Sequence, residues 1–410
     1  MDIELRNPTP ETIEDFWATL EGGFGWVNQE EPEGRKERWL KTVDLGRLWA
    51  AYDEDRVVAT SGNISFELTV PGGQIPAGGV TMISVLPSHR RRGILRRVMT
   101  HLLDESYDKG EPISILWASE EAIYPKFGYG IASLHSWFEI ERERAVFRGR
   151  PAVEGRVLLL DHDDAMKVIP TIYDEVRART PGMFARSEAW WETNTLYDAP
   201  HRRSEAGLLY RAVWEHDGRP EAYALYRMKS DWVQGSAAGK VEAFEVMATT
   251  PLARREMWRF VFGLDLVSRV DAPFGPADNP LLLMLEQPRR LHLKLQDSLW
   301  LRIVDVKDAL EARSYAADGT LVLEVTDDMY ERNSGRWRLD ASGGSAVVTR
   351  TEEEPDLVLD IVDLGSIYLG GFTFSHLARA GRVAEARAGA IARADGLFMT
   401  NVAPWCPEIF

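Results

Sequence analysis

The run Val80-Thr81-Met82-Ile83-Ser84-Val85-Leu86-Pro87-Ser88-His89-Arg90-Arg91-Arg92-Gly93-Ile94-Leu95-Arg96 constrains the rest of the chain. Its first half is β-rich and ends at Pro87, which has no N–H to give a sheet. After Gly93 the apolar residues Ile94, Leu95, Val98, Met99, Leu102 and Leu103 fall on one helical face. The run therefore reads as a strand, a tight basic turn and the start of a helix. Such a turn leaves backbone N–H groups without partners, and the helix dipole aims them at an anion. Three arginines add charge, and Gly93 lets the backbone approach a ligand closely. In physical terms this is a pyrophosphate cradle. A helix-capping loop with a solvated Arg cluster is the plainer reading of the same residues.

The pattern Arg90-x-x-Gly93-x-Leu95 resembles the acetyl-CoA loop of the GNAT acetyltransferases, usually written (Gln/Arg)-x-x-Gly-x-(Gly/Ala). Leu95 departs from its last position. Composition bounds the alternatives. The 410 residues hold 64 Asp and Glu against 48 Lys and Arg, a net charge of −16 that disfavours nucleic acid and tilts toward cationic partners. Met1-Asp2-Ile3-Glu4 has no signal-peptide pattern, and no long uncharged apolar run suggests a membrane span. A single cysteine, Cys406, excludes an internal disulfide and a Cys-based metal cluster. A cytoplasmic protein is the default. Fourteen tryptophans suggest large buried contacts, within the chain or between subunits.

Along the chain, residues 10–20 predict a helix, followed by the aromatic run Gly22 to Asn28 and a second helix carrying Trp39 and Leu40. Phe24 and Trp26 in that run suit the lining of a cleft, or equally a cap on the core. Strands are predicted over Leu48 to Tyr52, Val57 to Val70 and Pro112 to Ala118. From about Arg156 the pattern restarts. Thr250-Pro251 leads to Arg254-Arg255 and a helix, echoing Pro87 and Arg90-Arg91, but Met257 stands where the first copy has Gly93. The echo reads as an internal duplication whose second copy has lost its close-approach glycine. Residues 271–288 read as a connection, rich in Pro, Gly, Asp and Asn. A third, α+β unit is then predicted from about Arg289, with an opening strand around Leu299 to Ile303 and helices around Leu364 to Leu369, Phe374 to Ala380 and Val383 to Ala394.

Over essentially its full length the chain resembles the Eis-type GNAT acetyltransferases of actinobacteria. The resemblance is carried by Val85-x-Pro87-x-His89-Arg90-Arg91-Arg92-Gly93-x-Leu95-Arg96, by Ala118-Ser119-Glu120-x-x-Ile123-Tyr124-x-x-Phe127-Gly128-Tyr129-Gly130, by Leu299-Trp300-Leu301-Arg302-Ile303-x-Asp305-Val306 and by Leu364-Gly365-Ser366-x-Tyr368-Leu369-Gly370. It implies an α/β (α+β) fold: a GNAT domain over 1–150, a degenerate GNAT-like domain over 151–288, and a sterol-carrier-protein-like domain over 289–410. It also implies a homohexamer, acetyl-CoA as co-substrate, no metal, and N-acetylation of a small polyamine-like substrate such as an aminoglycoside.

Carried over by position, the resemblance makes Tyr124 the general acid and the carboxylate of Phe410 the general base. Ile83, Ser84 and Val85 would hold the acetyl group. Arg90, Arg91, Arg92, Gly93, Ile94, Leu95 and Arg96 would hold the pyrophosphate, with Ser119 and Glu120 near the acetyl-CoA tail. Phe24, Trp26, Asn28, Trp39, Met82, Trp117 and Ile409 would shape the substrate pocket. Several of these depart from better-known members: Trp26 and Asn28 replace an acid and an aliphatic residue, Trp117 a histidine, and Ile409 an acid. The residues support the chemistry independently, because amine acetylation needs one group to take a proton and another to give one to the thiolate. The apolar tail Ala403-Pro404-Trp405-Cys406-Pro407-Glu408-Ile409-Phe410 is stiffened by two prolines and would carry its carboxylate into a partly dry place. A core tyrosine at Tyr124 and a tail carboxylate paired to an arginine are the plain alternatives. A non-catalytic CoA- or lipid-binding scaffold is the competing function.

Overall fold

The β-rich runs of the first 133 residues pair into a seven-stranded sheet that carries the organising stretch. Its strands are β1 (Ile3–Arg6), β2 (Leu48–Asp53), β3 (Arg56–Val70), β4 (Gly73–Val85), β5 (Ile113–Trp117) and β6 (Gly130–Ile131), with the later strand Leu299–Ile303 between β5 and β6. Its helices are α1 (Ile13–Phe24), α2 (Arg35–Leu40) and α3 (Ile94–Asp108). The computed structural model describes residues 3–25, 34–149, 155–198, 203 and 206–410. Two compact units result: Met1–Ser133 with Ser298–Pro404 and Ile409–Phe410, and Leu134–Asp297 with Trp405–Glu408.

The helical periodicity read after Gly93 is the buried face of α3. Ile94, Val98, Met99, Leu102 and Leu103 are buried against Val80, Leu116 and Tyr129, and each large apolar side chain contributes roughly 1.5–3 kcal/mol. On the opposite side Ile13, Phe16, Leu48, Ala50, Tyr52 and Val57 form a second cluster under α1. The same unit holds a five-stranded sheet in the order Ser345–Arg350, Gly335–Ser342, Gly319–Thr326, Leu357–Asp360, Val383–Glu385. Buried Arg313 joins two of its helices by donating to the Tyr368 carbonyl at 2.6 Å and the Phe398 carbonyl at 3.1 Å. Those carbonyls close helices Ile361–Tyr368 and Ala390–Phe398, so the negative helix ends face the guanidinium.

Two sequence expectations about individual elements are corrected here. Leu299–Ile303 is a strand, but it pairs with β5 and β6 rather than opening the third sheet. All five of its residues are buried, which suits the interior of a sheet. The helix expected over Val383 to Ala394 is instead a strand, Val383–Glu385, paired with Leu357–Asp360, and a helix starting at Ala390. Gly389, at φ 81°, separates them. Residues 134–141 pair within the second unit's sheet.

That second sheet runs Lys294–Asp297, Leu134–Glu141, Val267–Pro276, Gly239–Ala248, Arg219–Lys229, Tyr210–His216, Arg156–Leu159. The part of the expected connection from Asp271 to Pro276 is thus strand, held by antiparallel pairing to Leu134–Glu141. Helix Pro251–Gly263 is closed at its start, because the Thr250 hydroxyl accepts from the Ala253 N–H at 3.1 Å. Met257, which stands where the first copy has its glycine, is fully buried. In this unit Arg186 is buried and forks onto Glu245 at 3.0 and 2.6 Å, and its Nε lies 2.8 Å from Glu408. Among the described residues no helix is long and apolar enough to cross a membrane.

Burial pushes the phenols of Tyr129, Tyr173, Tyr223 and Tyr368 above the ordinary tyrosine value. The unfolded chain releases these protons near pH ~10 while the folded chain keeps them. Above that pH the unfolded state binds fewer protons, so stability falls as pH rises. Urea midpoints are expected to hold up to about pH 9.5 and to drop steeply above pH ~10. A flat midpoint to pH 11 would contradict the burial of these hydroxyls.

Candidate active site

The site begins where two strands part. β4 and β5 are parallel neighbours only at Ala77–Ile113, Gly78–Ser114 and Gly79–Ile115. β4 continues to Val85, paired to β3 alone, with a register slip between Thr60 and Gly62. At the slip Met82 takes a left-handed φ of 53°, and its carbonyl accepts from the Thr60 hydroxyl at 2.8 Å. The Leu86 N–H donates to the Val58 carbonyl at 2.9 Å. Alternation along the strand therefore turns the Val85 N–H toward the gap left by β5. A donor facing such a gap can hold a ligand carbonyl.

Beyond Val85 the chain makes a single turn at Pro87–His89, and Arg91 and Gly93 then adopt left-handed φ values of 64° and 81°. Gly93 caps α3, and a Cβ there would meet no atom of another segment within 4 Å, so the glycine serves its backbone angle and leaves the surface bare. α3 starts without a side-chain cap and without an acidic residue in its first turn. Its first intrahelical bond runs from the Arg97 N–H to the Gly93 carbonyl. The N–H groups of Ile94, Leu95 and Arg96 thus point out of the helix end, the arrangement that takes an anion.

Two contacts fix the loop's shape. His89 is buried, with Nε2 3.1 Å from an Asp53 oxygen and Nδ1 2.8 Å from the Ser88 hydroxyl. Arg90 donates from Nε to the Val85 carbonyl at 3.0 Å and from Nη2 to the Gly23 carbonyl at 2.8 Å. The left-handed Arg91 is tolerable because these contacts hold the residues before it.

A cavity of about 480 Å³ opens onto this loop. It is lined by Gly23, Phe24, Ile83, Ser84, Val85, His89, Arg90, Arg91, Gly93, Ile94, Leu95, Ser119, Glu120, Ile123 and Tyr124. Tyr124 opens a short helical turn, Tyr124–Phe127, and is 5% exposed. Burial holds its phenol above the ordinary tyrosine value; a hydrogen bond with Ser119 opposes the shift and the charge of Glu120 adds to it. The hydroxyl therefore carries its proton at neutral pH and is a donor. With an uncapped helix start, a strand donor at a gap and an acid on one cavity, the residues fit an acyl-CoA: diphosphate at the loop, thioester at the gap.

Most of the expected acyl-CoA residues meet in this cavity. Arg92 and Arg96 are exposed and stand outside its lining. The Arg90 guanidinium braces the loop through carbonyls, and the Ser84 hydroxyl turns to α1, donating to the Thr19 carbonyl at 3.3 Å. The expected substrate residues are dispersed. Phe24 lines the cavity, whereas Trp39 and Met82 pack against the α1 cluster, Trp39 edge-on to Trp17 at 4.7 Å. Trp117 ends β5, Ile409 is exposed, and Trp26 and Asn28 lie outside the described residues. Phe410 is absent from the lining. One oxygen of its terminal carboxylate accepts from the Thr81 hydroxyl at 3.1 Å, and its ring meets Phe66 edge-on at 4.8 Å. The sequence reading missed Asp53 and the bracing role of His89. Only its closeness to the motif histidine in space gives Asp53 a role.

Residues 4–132 and 182–303 each match an acetyltransferase (GNAT) domain family, and residues 306–407 match a sterol carrier protein domain family. The two-plus-one order agrees with the fold implied by the sequence. An uncharacterized N-acetyltransferase of Streptomyces avermitilis is 38% identical over 397 residues, covering 96% of both chains. The N-acetyltransferase Eis of Mycobacterium tuberculosis is 32% identical over 357 residues, 84% of each chain. The crystal structure of Eis1 from Mycobacterium abscessus superposes over all of both chains with a TM-score of 0.85 at 32% identity. These relatives set the chain among N-acetyltransferase enzymes. The chain belongs to the Eis family of GNAT N-acetyltransferases.

Proposed function

We propose that the protein acetylates a primary amine of a small polyamine-like substrate, of aminoglycoside type, by direct attack within a ternary complex with acetyl-CoA. The observation that carries this reading is the meeting of the open α3 terminus, the Val85 N–H and the protonated Tyr124 hydroxyl around one cavity. Acetyl-CoA supplies an activated acyl carbon and a thiolate leaving group. The loop from Arg91 to Arg96 binds the diphosphate, and the Val85 N–H polarises the acyl carbonyl. Phe410 takes a proton from the substrate ammonium through its terminal carboxylate, which frees the amine lone pair to form the new C–N bond. Tyr124 gives its proton to the sulfur as the C–S bond breaks, and the second proton, lost by the nitrogen as the amide forms, restores the phenol.

The reading draws support from the net charge of −16, which favours approach of a cation. Cys406, the single cysteine, is buried and absent from the cavity lining, which favours direct attack over an acetyl-cysteine relay. A homohexamer, as the family resemblance implies, and a cytoplasmic location, the default for a chain with one cysteine, complete the proposal.

The test is thiol release from acetyl-CoA against a panel of aminoglycosides, polyamines and lysine peptides, with the native C-terminus left untagged. Turnover with aminoglycosides or polyamines is expected. Turnover with lysine peptides alone would replace the substrate class by a protein, and a burst of one equivalent without amine would replace direct attack by a covalent relay.

A further inference from the structure

We propose that Thr81 is a positioning residue for acetyl transfer, holding the C-terminal carboxylate by its hydroxyl. This rests on the reading above, in which Phe410 is the proton acceptor. Its Oγ1 lies 3.1 Å from the Phe410 oxygen, a bond between residues 329 apart in sequence.

The sheet is shaped to make this bond. Register pairs Phe66 with Ala77, Ile64 with Gly79 and Gly62 with Thr81, so alternation sets Phe66 and Thr81 on one face. Between them stands Gly79, where a Cβ would lie 2.3 Å from the Phe66 ring. Its bare surface admits that ring, and the ring receives the Phe410 ring edge-on. Gly62 is likewise bare, and a Cβ there would meet Thr81 Cγ2 at 3.3 Å. The terminal residue is thus held at both ends, its ring by Phe66 and its carboxylate by Thr81. A hydroxyl is suited to this task. It orients one carboxylate oxygen by a neutral hydrogen bond, and the acceptor keeps its negative charge, as a base must. An arginine in the same place would compete with the substrate ammonium for that charge.

Thr81→Val keeps the shape and removes the donor; Thr81→Ser restores it. Steady-state rates are measured for both against the best amine of the panel, beside a variant with one glycine added after Phe410. Thr81→Val is expected to lower kcat by about tenfold to a hundredfold. The KM for acetyl-CoA should stay within about twofold and Thr81→Ser within about threefold of the native kcat, each far below that loss. Equal losses in Val and Ser variants would overturn the proposal, since the hydroxyl would then not be the cause. A fully active Thr81→Val beside an inactive glycine extension would overturn it while leaving the carboxylate as base. Full activity in both would overturn the proposal together with the reading beneath it.

Discussion

Tyr124→Phe is expected to lower kcat by about 10²–10⁴-fold while acetyl-CoA still binds with near-native affinity. The substitution removes one oxygen and keeps the ring, which is 5% exposed and lies edge-on to Tyr129 at 6.2 Å. What it removes is a proton held ready: burial keeps the phenol protonated well above neutrality, against the pull of the Ser119 hydrogen bond. A thiolate leaves poorly without a proton to receive, so the loss falls on the chemical step and not on binding. Stability should change by only about 1 kcal/mol, the usual net contribution of one hydrogen bond. Single-turnover rates and acetyl-CoA titration by calorimetry separate the two effects. A near-native kcat would remove Tyr124 from the chemistry and leave it as a core ring. The direction of its shift adds a second check. The acid form persists past pH ~10, so no loss of rate below that pH should trace to this residue.

Adding one residue after Phe410 is the second large expected effect, a fall in kcat of at least about 10²-fold. The extension turns the terminal carboxylate into an amide carbonyl, which has almost no basicity, and carries the new carboxylate beyond reach of the Thr81 hydroxyl. Phe410→Ala is the informative partner. It keeps the carboxylate but loses the ring contact with Phe66 at 4.8 Å, and should cost less than the extension. Acetyl-CoA affinity should be unaltered in both, since Phe410 is not part of the cavity lining. An active extended protein would show that the proton leaves by another route.

What could be read in the chain differed by element, for a common reason. The face of α3 was legible because its period of 3.6 is written in adjacent residues, and Ile94, Val98, Met99, Leu102 and Leu103 are indeed buried. The lack of a glycine at the matching place in the second copy was also legible. The change from Gly93 to Met257 goes with a fully buried side chain and a helix start closed by Thr250. Strand membership was not legible. Leu299–Ile303 and Leu134–Glu141 are plainly β-rich, yet nothing local says which sheet each joins. The Val383 to Ala394 reading failed at Gly389, whose left-handed turn separates a strand from a helix that share one apolar pattern.

By itself the sequence determined the parts whose physics is local: the strand, turn and helix of the basic loop and the glycine it needs. Hydrophobic period, backbone angle and helix dipole all act over a few residues. Only the tertiary structure decided the parting of β4 from β5, the bracing of the loop by Asp53 and the placement of the last residue against Thr81 and Phe66. Each of these joins segments far apart in the chain, and such contacts depend on which surfaces remain when the whole core has packed.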